Sequence, residues 1–160
     1  MSADAQAIRA VFDCMMFLQG AARRESPAGI CLLLVELGAV ELCISKEIVD
    51  EIRDVLTRPR IRQRFSSLTD QLVDRFLESI ERKAVLVHDV PRIFEYHRDP
   101  KDEPYINLAL AAGATYLVSR DKDLLDLANS SNAEGERLRQ ISAGLKILDP
   151  MTFLLNLERV

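Results

Sequence analysis

Histidine is nearly missing from this sequence: His88 and His97 are its only two among 160 residues. They stand apart and beside no Ser or Cys motif, so a histidine-based nucleophilic triad has no material to form from, and both read as loop or surface residues. Cysteine is scarce as well. Cys14, Cys31 and Cys43 are an odd number without pairwise metal spacing, each inside an apolar stretch, which reads as small buried thiols and excludes a disulfide framework or a structural zinc site. Nowhere does an apolar run reach the roughly 18 residues a spanning helix needs. The N-terminus also lacks a basic region followed by an apolar segment and a cleavage site. The expectation is a cytoplasmic protein with no membrane contact. An excess of positive charge is absent too: 21 Lys and Arg against 25 Asp and Glu leave a net charge of −4. Any contact with nucleic acid must come from a local cluster rather than from the overall field.

What is present suits one domain spanning residues 1–160, since 48% apolar and 29% charged residues are ordinary for a globular chain with a real core. There is no internal repeat and no low-complexity segment. Apolar strands at 8–12, 40–44, 84–87, 115–119 and 145–148 alternate with helical patterns, which implies βαβ units with right-handed crossovers. The predicted fold class is α/β: a mainly parallel sheet of about five strands with helices on both faces, a three-layer α/β/α sandwich. Ser26-Pro27 opens a helix to Leu37, in which Ile30, Leu33, Leu34 and Leu37 follow helical spacing until Gly38. Ser45 caps the next helix, whose apolar face is Ile48, Val49, Ile52, Val55 and Leu56, with Glu51 at its margin. Pro59 ends that helix and leaves a basic turn. Thr69 to Arg82 is a further helix, residues 89–101 are loop, and the polar stretch Asp126 to Gly144 is predicted as loop or a short exposed helix.

The stretch from Arg98 to Leu127 organises the rest. Pro104 suits a first helical position with Glu103 as its cap, so Asp102 and Glu103 belong to a helix N-terminus. Gly113 stops that helix, and the strand Thr115 to Ser119 then delivers Asp121 and Asp123 just past its carboxyl end. Strand ends are where open α/β sheets place their sites. Asp13 ends the first strand in the same way. If Asp13, Glu51, Asp102 or Glu103, and Asp121 converge, they must hold cations, because packed carboxylates repel, whereas oxygen-rich sets suit hard Mg²⁺ or Mn²⁺. Such ions can activate water and stabilise a leaving oxygen in phosphodiester cleavage. Asp123, Asp99 and Glu47 each have an evident capping or solvent-facing alternative.

At these residues the sequence resembles the PIN-domain family. FDCMMFLQ after the first strand, SKEIVDEIRDVLTRPRI, RDPKDEP before an alanine-rich helix, and ATYLVSRDKDLL occur in the family's order and spacing, from about Ile8 to Leu155. The branch they are most similar to holds VapC-like ribonucleases, the toxin components of toxin–antitoxin systems. The resemblance implies a PIN-like fold and a Mg²⁺- or Mn²⁺-dependent endoribonuclease acting on an RNA substrate, with a cognate antitoxin as partner and a homodimer as the assembly. It also implies that Asp13, Glu51, Asp102 and Asp121 are the catalytic acids, with Glu103 a neighbour that can substitute for Asp102, Asp123 an additional acid and Ser119 a supporting hydroxyl. One departure stands out. Where the family has Thr and then Asn or Ser after its first Asp, this chain has Cys14 and Met15, which removes two polar groups that would orient the ligands.

The arginines Arg58, Arg60, Arg62 and Arg64 either track RNA phosphates, take an acidic antitoxin segment, or form a solvated basic turn. Tyr96, Tyr105 and Tyr116 read as core or rim aromatics rather than base-stacking platforms. Two rivals stand beside the nuclease reading. A haloacid-dehalogenase-like phosphohydrolase also has an Asp after its first strand, but the second acid expected two residues on is Met15. A catalytically weak PIN-like module that binds protein or RNA draws its support from Cys14 and Met15.

Overall fold

The computed structural model describes residues 8–129 and 131–158. Its strands are β1 (Ile8–Phe12), β2 (Val40–Ile44), β3 (Val85–Leu86), β4 (Tyr116–Val118) and β5 (Lys146–Leu148). Its helices are α1 (Cys14–Ala22), α2 (Pro27–Glu36), α3 (Lys46–Leu56), α4 (Pro59–Arg64), α5 (Asp70–Lys83), α6 (Glu103–Ala112), α7 (Lys122–Asn129), α8 (Ala133–Ile141) and α9 (Pro150–Glu158), with a 3-10 turn at Pro100–Asp102 ahead of α6. The strands form one sheet in the order β3-β2-β1-β4-β5, and every pairing is parallel. The three-layer α/β/α sandwich expected from the alternation is therefore what the chain adopts.

Local chemistry starts most helices. Asp13, Ser26, Ser45 and Thr69 each accept a hydrogen bond from the backbone N–H three residues on, which satisfies one of the donors a helix start leaves free. At the other end of α6, Gly113 takes a φ of 63°, the left-handed cap that a side-chain-bearing residue resists. The sheet centre is fully apolar: Ala10, Val11, Leu42, Leu117 and Val118 have no exposed surface. Phe153 of α9 closes the layer above it, 5.1 Å from the Tyr116 ring and 6.1 Å from that of Phe12. α6 packs across β1, β2 and β4, while α1 contacts α2 and α3, and α2 contacts α9.

Two expectations need correction. Of Ile30, Leu33, Leu34 and Leu37, chosen by spacing, Ile30, Leu33 and the C-capping Leu37 are exposed and only Leu34 is partly buried, while the buried set of α2 is Ala28, Gly29, Cys31, Leu32 and Val35. This helix is apolar almost all round, so periodicity does not choose a face. Close approach to α1 chooses it instead: a Cβ built on Gly20 would lie 2.3 Å from Leu32 Cδ1. Pro59 does not leave a turn after α3 but opens α4, since proline at a first helical position gives up an N–H that has no partner there. The polar stretch after Asp126, expected as loop or a short exposed helix, carries such a helix: after α7 ends at Asn129, the nine-residue α8 is mostly exposed, and Asn132 caps it by accepting from Gly135 N at 2.9 Å.

Gly29 tests the α1–α2 junction. A Cβ there would meet Arg24 O at 2.2 Å, a backbone atom that cannot swing aside. Gly29→Ala should lower unfolding free energy by about 1–3 kcal/mol, read as a lower urea midpoint at unchanged slope.

Candidate metal centre

The strand order reverses between β1 and β4, and in open α/β sheets the crevice at such a point lies beyond the carboxyl ends of the strands. Asp13 follows β1 there, and its backbone N–H donates to Val118 O of β4 at 3.2 Å. One carboxylate oxygen caps α1 by accepting from Met16 N at 3.1 Å. The other accepts a short hydrogen bond from Ser119 Oγ. Ser119, with no exposed surface, in turn accepts from Asp121 N at 2.9 Å, so a single hydroxyl ties the first strand's acid to the fourth's. Asp121 Oδ1 then accepts from Asp123 N at 2.8 Å.

The chain segment leading into α6 supplies the remaining acids on this side. Asp99 caps the 3-10 turn by accepting from Lys101 N at 3.2 Å, and carboxylate oxygens of Asp99, Asp121 and Asp123 lie within 4.8 Å of one another. Asp102 is 6% exposed, and its Oδ2 is buried with no hydrogen-bond partner. Glu103 is buried beside it but turns elsewhere: Oε1 accepts from Tyr96 N at 2.8 Å and Oε2 meets Arg92 at 3.2 Å. Glu103 is also the first residue of α6 rather than its cap, a place taken by Asp102.

Glu51 stands on α3 at the other flank. Its charge and that of Asp13 both bear on the Cys14 thiol and the Tyr105 hydroxyl, and burial first, then these two acids, push the thiol up to about 12. Cys14 is thus a neutral thiol where a hydroxyl was expected from the resemblance, and Tyr105 Oη is buried with no hydrogen-bond partner. Of the four arginines, Arg58 pairs with Asp54 at 2.7 Å and also feels Glu51, Arg62 pairs with Asp70, and Arg64 lies over the Phe65 ring. Arg60 is exposed and, among the described residues, has no ion pair.

Burial is the main electrostatic fact. It raises Asp13 from 3.8 to about 6 against the lowering effect of the Ser119 and Met16 hydrogen bonds, with Asp121 adding repulsion. Asp102 is raised further by burial and then by Asp121 and Asp99. Among the described residues no Lys, Arg or His pairs with Asp13, Asp102 or Asp121; Arg98 reaches only Asp123, at 2.8 Å, and Asp126. An all-oxygen set with one orphaned buried oxygen and no internal counter-charge fits a hard divalent cation.

Sequence reasoning weighed Asp99 against a capping role, and the structure has it in both places, capping the 3-10 turn and lying against Asp121 and Asp123; Tyr105, read as a core or rim aromatic, is buried. The signal for Asp99 was in the spacing: side chains three apart eclipse in a 3-10 turn, so the acids flanking Pro100-Lys101 face the same way.

A doubly wound sheet with uncompensated carboxylates at its switch point is an α/β protein whose donor set would suit a divalent cation. The chain belongs to the PIN domain family, whose model matches residues 9–123. PIN domains are in general nucleases that act on nucleic acid with divalent metal. No curated protein and no solved structure matches the chain. No helix among the described residues is long and apolar enough to cross a membrane.

A pH titration tests the burial of these acids. With its folded value near 6 and its ordinary value at 3.8, Asp13 binds more protons in the native state than in the unfolded chain across that interval. Stability without metal should fall as pH rises from about 4, by on the order of 2–3 kcal/mol for Asp13 at neutral pH, with Asp102 extending the decline. Thermal melts in chelator should show this slope, and Asp13→Asn should flatten it.

Proposed function

We propose that this protein is a Mg²⁺- or Mn²⁺-dependent endoribonuclease, the toxin component of a type II toxin–antitoxin system acting in the cytoplasm. The observation that carries the metal-dependent part is that buried Asp13 and Asp102 both lie close to the half-buried Asp121, with no basic partner for any of the three among the described residues. RNA as the substrate, a cognate antitoxin and a homodimer rest on the resemblance to VapC-like ribonucleases. Membership in the PIN family removes the haloacid-dehalogenase alternative.

In this reading Asp13, Asp102 and Asp121 hold the ion, Asp123 adds charge at the rim, and Glu51 stands on the opposite flank to take a ligand or a proton. The cation supplies Lewis acidity, lowering the pKa of water and neutralising charge that builds on phosphate oxygens. Ser119 fixes Asp13 and Asp121 relative to each other, so the site is assembled before substrate arrives. Arg60 is the arginine best placed to meet the phosphate backbone, since Arg58, Arg62 and Arg64 are engaged by Asp54, Asp70 and Phe65. The neutral Cys14 thiol favours a second reading, a PIN domain with weak catalysis that serves as a binding module.

Cleavage of a mixed RNA pool decides between them. Chelator should stop cleavage, Mn²⁺ should restore it, and Asp13→Asn should lower the rate by on the order of 100-fold or more while leaving RNA binding largely intact. Equal rates for parent and Asp13→Asn would end the nuclease reading. Cys14→Thr should raise activity if the thiol is what limits it.

A further inference from the structure

Between β3 and the 3-10 turn, residues 87–99 form neither helix nor strand, yet Phe94 and Tyr96 are almost wholly buried. A buried segment without a ladder must find partners for its backbone groups elsewhere. Here two side chains one turn apart on α6 supply them. Asn107 Oδ1 accepts from Ile93 N at 3.0 Å and from Phe94 N at 2.7 Å, and Asn107 Nδ2 donates to Phe94 O at 3.0 Å. Glu103 Oε1 accepts from Tyr96 N at 2.8 Å. Together they read the backbone of residues 93–96 much as a neighbouring strand would. Tyr96 continues the fastening by donating from its hydroxyl to Asp123 O at 2.7 Å. Three residues beyond Tyr96 comes Asp99, which this path sets against Asp121 and Asp123 and beside the orphaned Asp102 Oδ2.

We infer that Glu103 and Asn107 are positioning residues of the metal centre, and that Asp99, which they carry into place, is a further cation-holding carboxylate. The inference rests on the metal-dependent reading above and assigns its parts. A Glu103 carboxylate that acted as a ligand would leave one oxygen open toward Asp13 and Asp121; instead one oxygen binds the strap and the other meets Arg92. The acid at position 103 therefore does its work through the loop, and Asp102 and Asp99, on the two sides of the 3-10 turn, face the ion.

Calorimetric Mn²⁺ binding to the folded protein separates these roles. Asp99→Asn keeps an acceptor for Lys101 N but loses the charge, and should weaken Mn²⁺ by on the order of 10–100-fold. Glu103→Ala should weaken it over a similar range, whereas Glu103→Gln should bind almost like the parent, because the amide oxygen still accepts from Tyr96 N. The Mn²⁺ concentration for half-maximal RNA cleavage should follow the same order, with KM for RNA unchanged. A Gln variant as poor as the Ala variant would make Glu103 a ligand and overturn the inference, as would parental affinity in Asp99→Asn. Should Glu103→Ala fail to fold, the Gln and Asp99→Asn variants still decide it. Absence of Mn²⁺ binding by the parent would instead bring down the nuclease reading, and the inference with it.

Discussion

Carboxylates buried together without a counter-charge are the constraint on which the arrangement of this protein turns. Asp13 and Asp102 are nearly as hidden as core side chains, and both resist ionisation for that reason. A fold optimised only for stability would pair them with Lys or Arg or replace them with apolar groups of like size. Here nearly the whole supporting structure serves to hold them close: the register of β1 against β4, the Ser119 bridge, the α1 cap taken by Asp13 itself, and the turn that begins α6. The free energy this costs would be recovered on binding a divalent cation.

The sheet order explains why the site lies where it does. β1 is central, β2 and β3 extend to one side and β4 and β5 to the other, so the connections leaving β1 and β4 diverge and open a crevice between Asp13 and Asp121. α6 then lies across the same strands and brings Asp102 from a different part of the chain. Stability and function are joined at this helix. Tyr105, Ile106, Leu108 and Ala109 fill the core, Asp102 faces the acids, and Glu103 with Asn107 holds the loop that completes the wall.

Departures from the family pattern cluster in one place. Cys14 is held as a neutral thiol between the influences of Asp13 and Glu51, and Tyr105 offers an unpartnered hydroxyl to the same neighbourhood. Met15, the second departure, is 47% exposed and so adds an apolar group at the mouth rather than a ligand within it. The flank near Glu51 is thus less polar than the resemblance implies, while Asp13, Ser119 and Asp121 on the other flank are joined by hydrogen bonds.

Much of this was legible in the residues because it depends on neighbours in the chain. The helix starts at Ser26, Ser45 and Thr69, the stop at Gly113 and the delivery of Asp13 and Asp121 beyond apolar strands are all short-range chemistry, settled within three or four residues. From these the parallel α/β sandwich and its acidic edge followed. Only the tertiary structure decided which face of the all-apolar α2 is buried, because steric contact with α1 made that choice and not hydropathy. It alone separated the surroundings of Asp102 and Glu103, adjacent acids of which the first feels the charge of Asp121 and the second is bonded to Tyr96 and Arg92, neighbours brought to them by different segments. Such choices rest on distances between parts of the chain remote in sequence, and no local pattern records those.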